Sequence, residues 1–229
     1  MVFDGSAKTS SGVSLNDKLI VGPQLQADLT TLLLHFRVHK IAIIADIEKI
    51  YRQITLHGSD FQRVVWRNSP FEPIQDFRLI RIAYGIASVL YLAIKCLQQL
   101  ALNESTNFPP ASKATLKDFN IDDLMSGAIS LSEVLELQNQ LTQMLSSAGL
   151  VLRKWASNCN ELLNSIDSDM RLSNTSLNIE NNDTVKTLGI QWHPASDAFY
   201  FKITPLSFEG PLTKRTYLSS IAKTFDSFG

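Results

Sequence analysis

The chain is short of cysteine, of histidine and of charge of either sign in excess, and it has no long apolar run. Its two cysteines, Cys96 and Cys159, stand far apart without metal-ligand spacing. That excludes a cysteine-based zinc site and a disulfide framework, and fits reduced thiols in a cytosolic or nuclear setting. Twenty-one Lys and Arg against 22 Asp and Glu leave a formal net charge of −1. Any nucleic-acid binding must therefore come from local basic clusters or neighbouring domains, because the chain as a whole is no polyanion magnet. No apolar stretch approaches the roughly 20 residues of a membrane span, so no membrane association is expected. The opening Met1-Val2-Phe3-Asp4-Gly5 has no basic segment leading into an apolar one, and so no secretory signal. The four histidines, His35, His39, His57 and His193, lie outside the acidic stretches and read as surface or core residues.

What is present is enough for a core. With 229 residues and 45% hydrophobic content the chain fits one large domain or two small ones. After a polar, Ser/Gly-rich start to residue 23, apolar positions from Gln24 to Phe36 recur at helical spacing behind Pro23, where a proline suits a helix start. Ile41 to Asp46 reads as a buried strand, and Tyr51 to Ile54 as a short helical segment. Residues 61–67 and 77–83 read as an antiparallel hairpin, and Ala87 to Leu102 as a helix followed by a loop to Pro110. Ser130 and Glu133 form a capping box for a helix that Gly149 ends. A strand at 150–152, a poorly ordered connection over 157–185, a strand pair at 187–192 and 198–203, and a terminal helix over 213–225 complete the reading. Strands and helices alternate without a regular βαβ repeat, which points to an α+β fold with an antiparallel sheet backed by helices.

The chain is organised around Lys117-Asp118-Phe119-Asn120-Ile121-Asp122-Asp123-Leu124-Met125-Ser126-Gly127. Adjacent carboxylates between short apolar runs suggest a tight hairpin with acids at its tip. On their own, solvated loop acids would explain them. Asp46, however, ends the apolar run Ile41-Ala42-Ile43-Ile44-Ala45, and a strand-end acid must be capped, paired or metal-bound, since an isolated buried charge is too costly. A strand-end Asp beside a hairpin Asp makes a hard oxygen cage suited to two Mg²⁺ ions about 3.5–4 Å apart.

The order of landmarks resembles the reverse transcriptase domain of a BEL/Pao-type long-terminal-repeat retrotransposon polyprotein. The resemblance rests on Phe3-Asp4-Gly5-Ser6-Ala7-Lys8, Ser14-Leu15-Asn16-Asp17 and Gly22-Pro23-Gln24-Leu25-Gln26. It continues through Asp46-Ile47-Glu48-Lys49-Ile50-Tyr51-Arg52-Gln53-Ile54, Asn120-Ile121-Asp122-Asp123, Leu152-Arg153-Lys154-Trp155, Leu188-Gly189-Ile190 and Phe225-Asp226-Ser227-Phe228-Gly229. It implies a right-hand polymerase palm with partial fingers: fingers over 1–40 and 58–82, palm over 41–57 and 83–193, and the start of a thumb or connection over 194–229. It implies an RNA-directed DNA polymerase that adds dNTPs to a primer 3′-hydroxyl by two-metal phosphoryl transfer. Asp46, Asp122 and Asp123 would be catalytic and hold two Mg²⁺, replaceable by Mn²⁺, with the Ile47 backbone carbonyl as a further ligand. Tyr51 would be a steric gate beneath the sugar, or simply a core aromatic. Tyr84 and Gly85 would support the nucleotide, or form an ordinary strand-to-helix turn. Lys154 would protonate departing pyrophosphate, or be a solvated lysine, and Leu188, Gly189 and Ile190 would form a primer grip or a plain hairpin.

The implied partners are an RNA or DNA template with its primer, dNTPs, and the protease, RNase H and integrase domains of the polyprotein, in a cytoplasmic particle or the nucleus. The chain departs from the family at Asn120, where an aromatic residue is usual, and at Val89-Leu90, where Ala-Pro is usual. The fingers' triphosphate clamp would fall before Met1, and the thumb and RNase H after Gly229, so a truncated piece is expected. The alternative function is accordingly a non-catalytic retroelement remnant, folded but without polymerase activity.

Overall fold

The fold is α+β. A computed structural model describes residues 4–26, 28–57, 61–172, 185–187, 190–200 and 213–221. Helix α1 (Leu29–Arg37) begins later than Pro23 suggested, because Asp28 is its N-cap and accepts the Thr31 N–H at 2.8 Å. Strand β1 (Ile41–Ile47) follows, then the single turn α2 (Ile50–Gln53). Strands β2 (Arg63–Trp66) and β3 (Gln75–Arg78) pair antiparallel as a separate ribbon, shorter than the expected hairpin and with its second strand set earlier. Helix α3 (Val89–Asn103) matches the expected apolar helix.

Helix α4 (Pro109–Lys117) is a correction, since the sequence reading gave no helix there. Two prolines stand in its first turn, where a missing N–H costs nothing, and the Ser112 hydroxyl donates to the Ala101 carbonyl at 2.6 Å to tie it to α3. The acidic hairpin is β4 (Phe119–Asn120) and β5 (Asp123–Ala128). Helix α5 (Leu131–Ser147) carries the expected capping box, with the Ser130 side chain accepting from the Glu133 N–H and the Glu133 carboxylate from the Ser130 N–H. Strand β6 (Leu152–Ser157) runs further than expected, and helix α6 (Asn160–Asn164) stands inside the stretch read as a loose connection. Strands β7 (Val185–Thr187), β8 (Ile190–His193) and β9 (Ala198–Tyr200) form a small antiparallel sheet, and helix α7 (Lys214–Ile221) ends the described chain. Val2-Phe3, residues 173–184 and the motif Phe225–Gly229 lie outside the described residues.

The main sheet has the order β4-β5-β1-β6, antiparallel throughout. Strand side chains alternate between faces, and both faces of β1 are covered. Ile43, Ala45 and Ile47 face a core built from α3, α4, α5 and α6, including Leu97, Ala114, Leu141, Met144 and Leu162. Ala42 and Ile44 face a second cluster with Leu32, Leu33 and Phe36 of α1 and Trp192 of β8. That double burial is why β1 reads as an unbroken apolar run. Each fully buried Leu or Met contributes about 1.5–3 kcal/mol. Among the described residues no helix is long and apolar enough to cross a membrane.

Candidate functional site

Alternation along β1 decides where Asp46 goes. It shares a face with Ala42 and Ile44, one step beyond the last side chains that α1 and Trp192 bury. Across the ladder Ile44 pairs with Met125 and Asp46 pairs with Asp123, so the two acids stand opposite each other at the sheet's end. Asp122 occupies the turn before β5, and its carbonyl accepts the Ile47 N–H at 2.9 Å. Ile121, the first residue of that turn, sits at φ 58, a left-handed conformation that is strained for a β-branched side chain. The strain falls one residue from Asp122. Asn120, the last residue of β4, accepts from the Gln26 amide at 3.3 Å.

Crowding of the carboxyls shows in their proton affinity. Burial, then the charges of Asp122 and Asp46, push the Asp123 carboxyl up to about 6. Burial also raises Asp122, with the Asp46 charge adding to it. The partial answer to this repulsion is Lys154, whose ammonium lies 3.0 Å from Asp46 Oδ2. Lys154 has φ 56 and stands where the β1–β6 register shifts between Ile44 and Asp46, so a bulge in β6 aims it across the strand. Beside it the Arg153 guanidinium meets Glu48 at 2.5 Å.

This donor set suits a hard divalent cation. Its oxygens are carboxylates, its negative charge is only partly answered, and a cation already sits on Asp46 in the form of an ammonium. Among the described residues no three His, Cys, Asp or Glu side chains stand as a group that could hold a metal ion, and Asp46 is paired with Lys154.

No protein-family model matches this chain, and no curated protein matches it in sequence.

Beside the acids, the Tyr51 ring meets Tyr84 edge-to-face, centroids 4.8 Å apart at 82°. Burial, and then the Asp122 charge, hold the Tyr51 phenol above its usual range, so it stays a neutral hydroxyl near the carboxyls. Gly85 follows at φ 94, a conformation that requires glycine, and opens the way to α3. The structure thus brings Asp46, Asp122, Asp123, Ile47, Tyr51 and Lys154 to one end of the sheet, with Tyr84 and Gly85 joined through Tyr51. Leu188 and Gly189 lie outside the described residues, and Ile190 pairs with Thr187 in the β7–β8 ladder.

Two residues were given no role of their own in the sequence. Asp118 is held beneath the hairpin by the Ser126 hydroxyl at 2.5 Å, and burial pushes its carboxyl up. Asn16 bridges the N-terminal loop to the Gly85 turn. Its only sequence signal was its place in the Ser14-Leu15-Asn16-Asp17 motif.

Proposed function

We propose that this chain is the palm and partial fingers of a BEL/Pao-type reverse transcriptase, an RNA-directed DNA polymerase. The observation that carries the reading is the β1–β5 register, which sets Asp46 against Asp123 beside Asp122 at the end of a helix-backed antiparallel sheet. Asp46 and Asp122 would hold Mg²⁺, with Asp123 and the Ile47 carbonyl adjoining. Such ions, if bound there, would supply the lowering of the primer 3′-hydroxyl pKa and the neutralisation of the triphosphate and its leaving pyrophosphate.

The chain's own residues orient and discriminate. Tyr51, braced by Tyr84, presents a ring edge-to-face against its neighbour and a neutral hydroxyl near Asp122, a floor for a deoxyribose. Gly85 lets backbone approach a ligand closely, and the N-terminus of α3, whose N-cap Ser88 makes no side-chain cap, leaves N–H groups favourable to phosphate. Lys154, at 3.0 Å from Asp46, would donate a proton to the departing pyrophosphate once it leaves the carboxylate. The partners are a primed RNA or DNA template, dNTPs and the remaining polyprotein domains.

The test is primer extension on an RNA template with Mg²⁺, with the chain joined to its thumb and RNase H domains. Asp122→Asn should abolish extension, and undiminished extension removes Asp122 from the mechanism.

A second reading, a folded remnant without polymerase activity, draws on the Lys154–Asp46 ion pair and the lack of a convergent three-ligand set among the described residues. Mn²⁺ titration separates the two. A working site gains about 2.7 kcal/mol of stability at a hundred times the dissociation constant. A remnant gains none.

A further inference from the structure

One side chain joins two loops that lie 69 residues apart in sequence. The Asn16 amide donates to the Gly85 carbonyl at 3.0 Å and to the Ser6 hydroxyl at 2.9 Å. Its oxygen accepts the Ala87 N–H at 2.8 Å, and its own backbone N–H donates to the Gly5 carbonyl at 2.9 Å. Both amide hydrogens are thereby used, and the two backbone groups on either side of Ile86 are satisfied by one planar group. The approach is too close for a side chain at Gly5, since a Cβ there would stand 2.7 Å from Asn16 Oδ1 and 2.8 Å from the Gly85 carbonyl.

The clamped turn is the one that carries Tyr84. Tyr84 braces Tyr51 edge-to-face at 4.8 Å, and Tyr51 lies within the field of Asp122. From the amide a line of contacts runs through the Gly85 turn and Tyr84 to Tyr51, which feels the charge of Asp122.

We infer that Asn16 is a positioning residue for the nucleotide, fixing through the Gly85–Ala87 turn the aromatic wall that selects the sugar. This rests on the polymerase reading above. Without the amide, the Gly85 carbonyl and the Ala87 N–H turn to water and Tyr84 loses its fixed place. The Tyr51 ring then has a looser brace, and a 2′-hydroxyl is less strongly refused. Neither Asn16 nor Ser6 touches the acids, so the effect belongs to nucleotide binding and sugar choice.

The experiment measures equilibrium binding of dATP and of ATP, each with Mn²⁺, to the full chain, its Asn16→Ala form and its Ser6→Ala form. Hydrogen exchange at the Ala87 amide is followed in parallel. Losing about one net hydrogen bond's worth of positioning should weaken dATP about tenfold and narrow the dATP-to-ATP preference by a similar factor. Ala87 exchange should rise with it. Ser6→Ala, which removes only the contact remote from the turn, should leave both affinities unchanged. If Asn16→Ala melts earlier yet keeps the parent's dATP-to-ATP ratio, Asn16 is merely structural and the inference is overturned. Unchanged Ala87 exchange overturns it as well, whether or not nucleotide binds. A parent chain that binds neither nucleotide overturns the polymerase reading itself, and this inference with it.

Discussion

Asp123 carries the clearest residue-level signature of the site. Its folded pKa of about 6 lies above the ordinary value of 3.8, so between those values the folded chain keeps a proton that the unfolded chain has released. Stability must then fall as pH rises through that window, and the penalty is fully present above it. Asp123→Asn is expected to raise the thermal midpoint near pH 8 and change it little near pH 4, flattening the slope; an unaltered slope would remove Asp123 from the cluster. Lys154 acts in the opposite direction on both hairpin acids, lowering their pKa values. Lys154→Met should therefore shift the carboxyl titrations upward by NMR. Its global cost should be about 1 kcal/mol, because the Lys154 side of the pair is 61% exposed even though the Asp46 side chain is only 25% exposed.

At the scale of elements, two positions hold the acids where they are. Gly127 in β5 pairs with Ala42, and a Cβ there would come within 2.2 Å of the Ile41 carbonyl, a backbone atom that cannot swing away. Gly127→Ala should cost about 1–3 kcal/mol in urea unfolding, because it pushes β5 off β1. Behind the sheet, the capping box fixes the start of α5. Ser130→Ala should cost about 1 kcal/mol, read as a lower urea midpoint at unchanged slope. The hairpin strands and the α5 cap were legible in the sequence because their signals are local: alternation, a turn, a Ser–Glu pair three apart. Helix α4 was not, since paired prolines and a weak apolar stripe resemble a loop until α3 and α5 bury Ala111 and Ala114. The extent of β6 was hidden likewise by Arg153 and Lys154, polar residues whose partners are Glu48, in the turn after β1, and Asp46 on β1.

Over the whole molecule, apolar surface is distributed unevenly. The main sheet is covered on both faces, whereas the β2–β3 ribbon leaves Phe61, Val65, Trp66, Phe71 and Ile74 exposed, with Phe71 at 98%. A two-stranded ribbon with no sheet behind it is marginal alone. Phe71→Ser should leave global stability within about 0.5 kcal/mol, while lowering the light scattering of concentrated solutions. Equal scattering would show that the ribbon is not the adhesive surface.

The sequence by itself determined the α+β class, the buried strand ending in Asp46, the acidic hairpin and the capped helix, because each follows from periodicity and short-range hydrogen bonding within a few residues. Only tertiary structure decided that Asp46 faces Asp123 across the ladder, that a bulge delivers Lys154 to the same acid, and that Asn16 clasps the Gly85 turn. Those facts depend on strand register and on the meeting of distant loops, which are set by the packing of two cores against one sheet and leave no mark in the spacing of neighbouring residues.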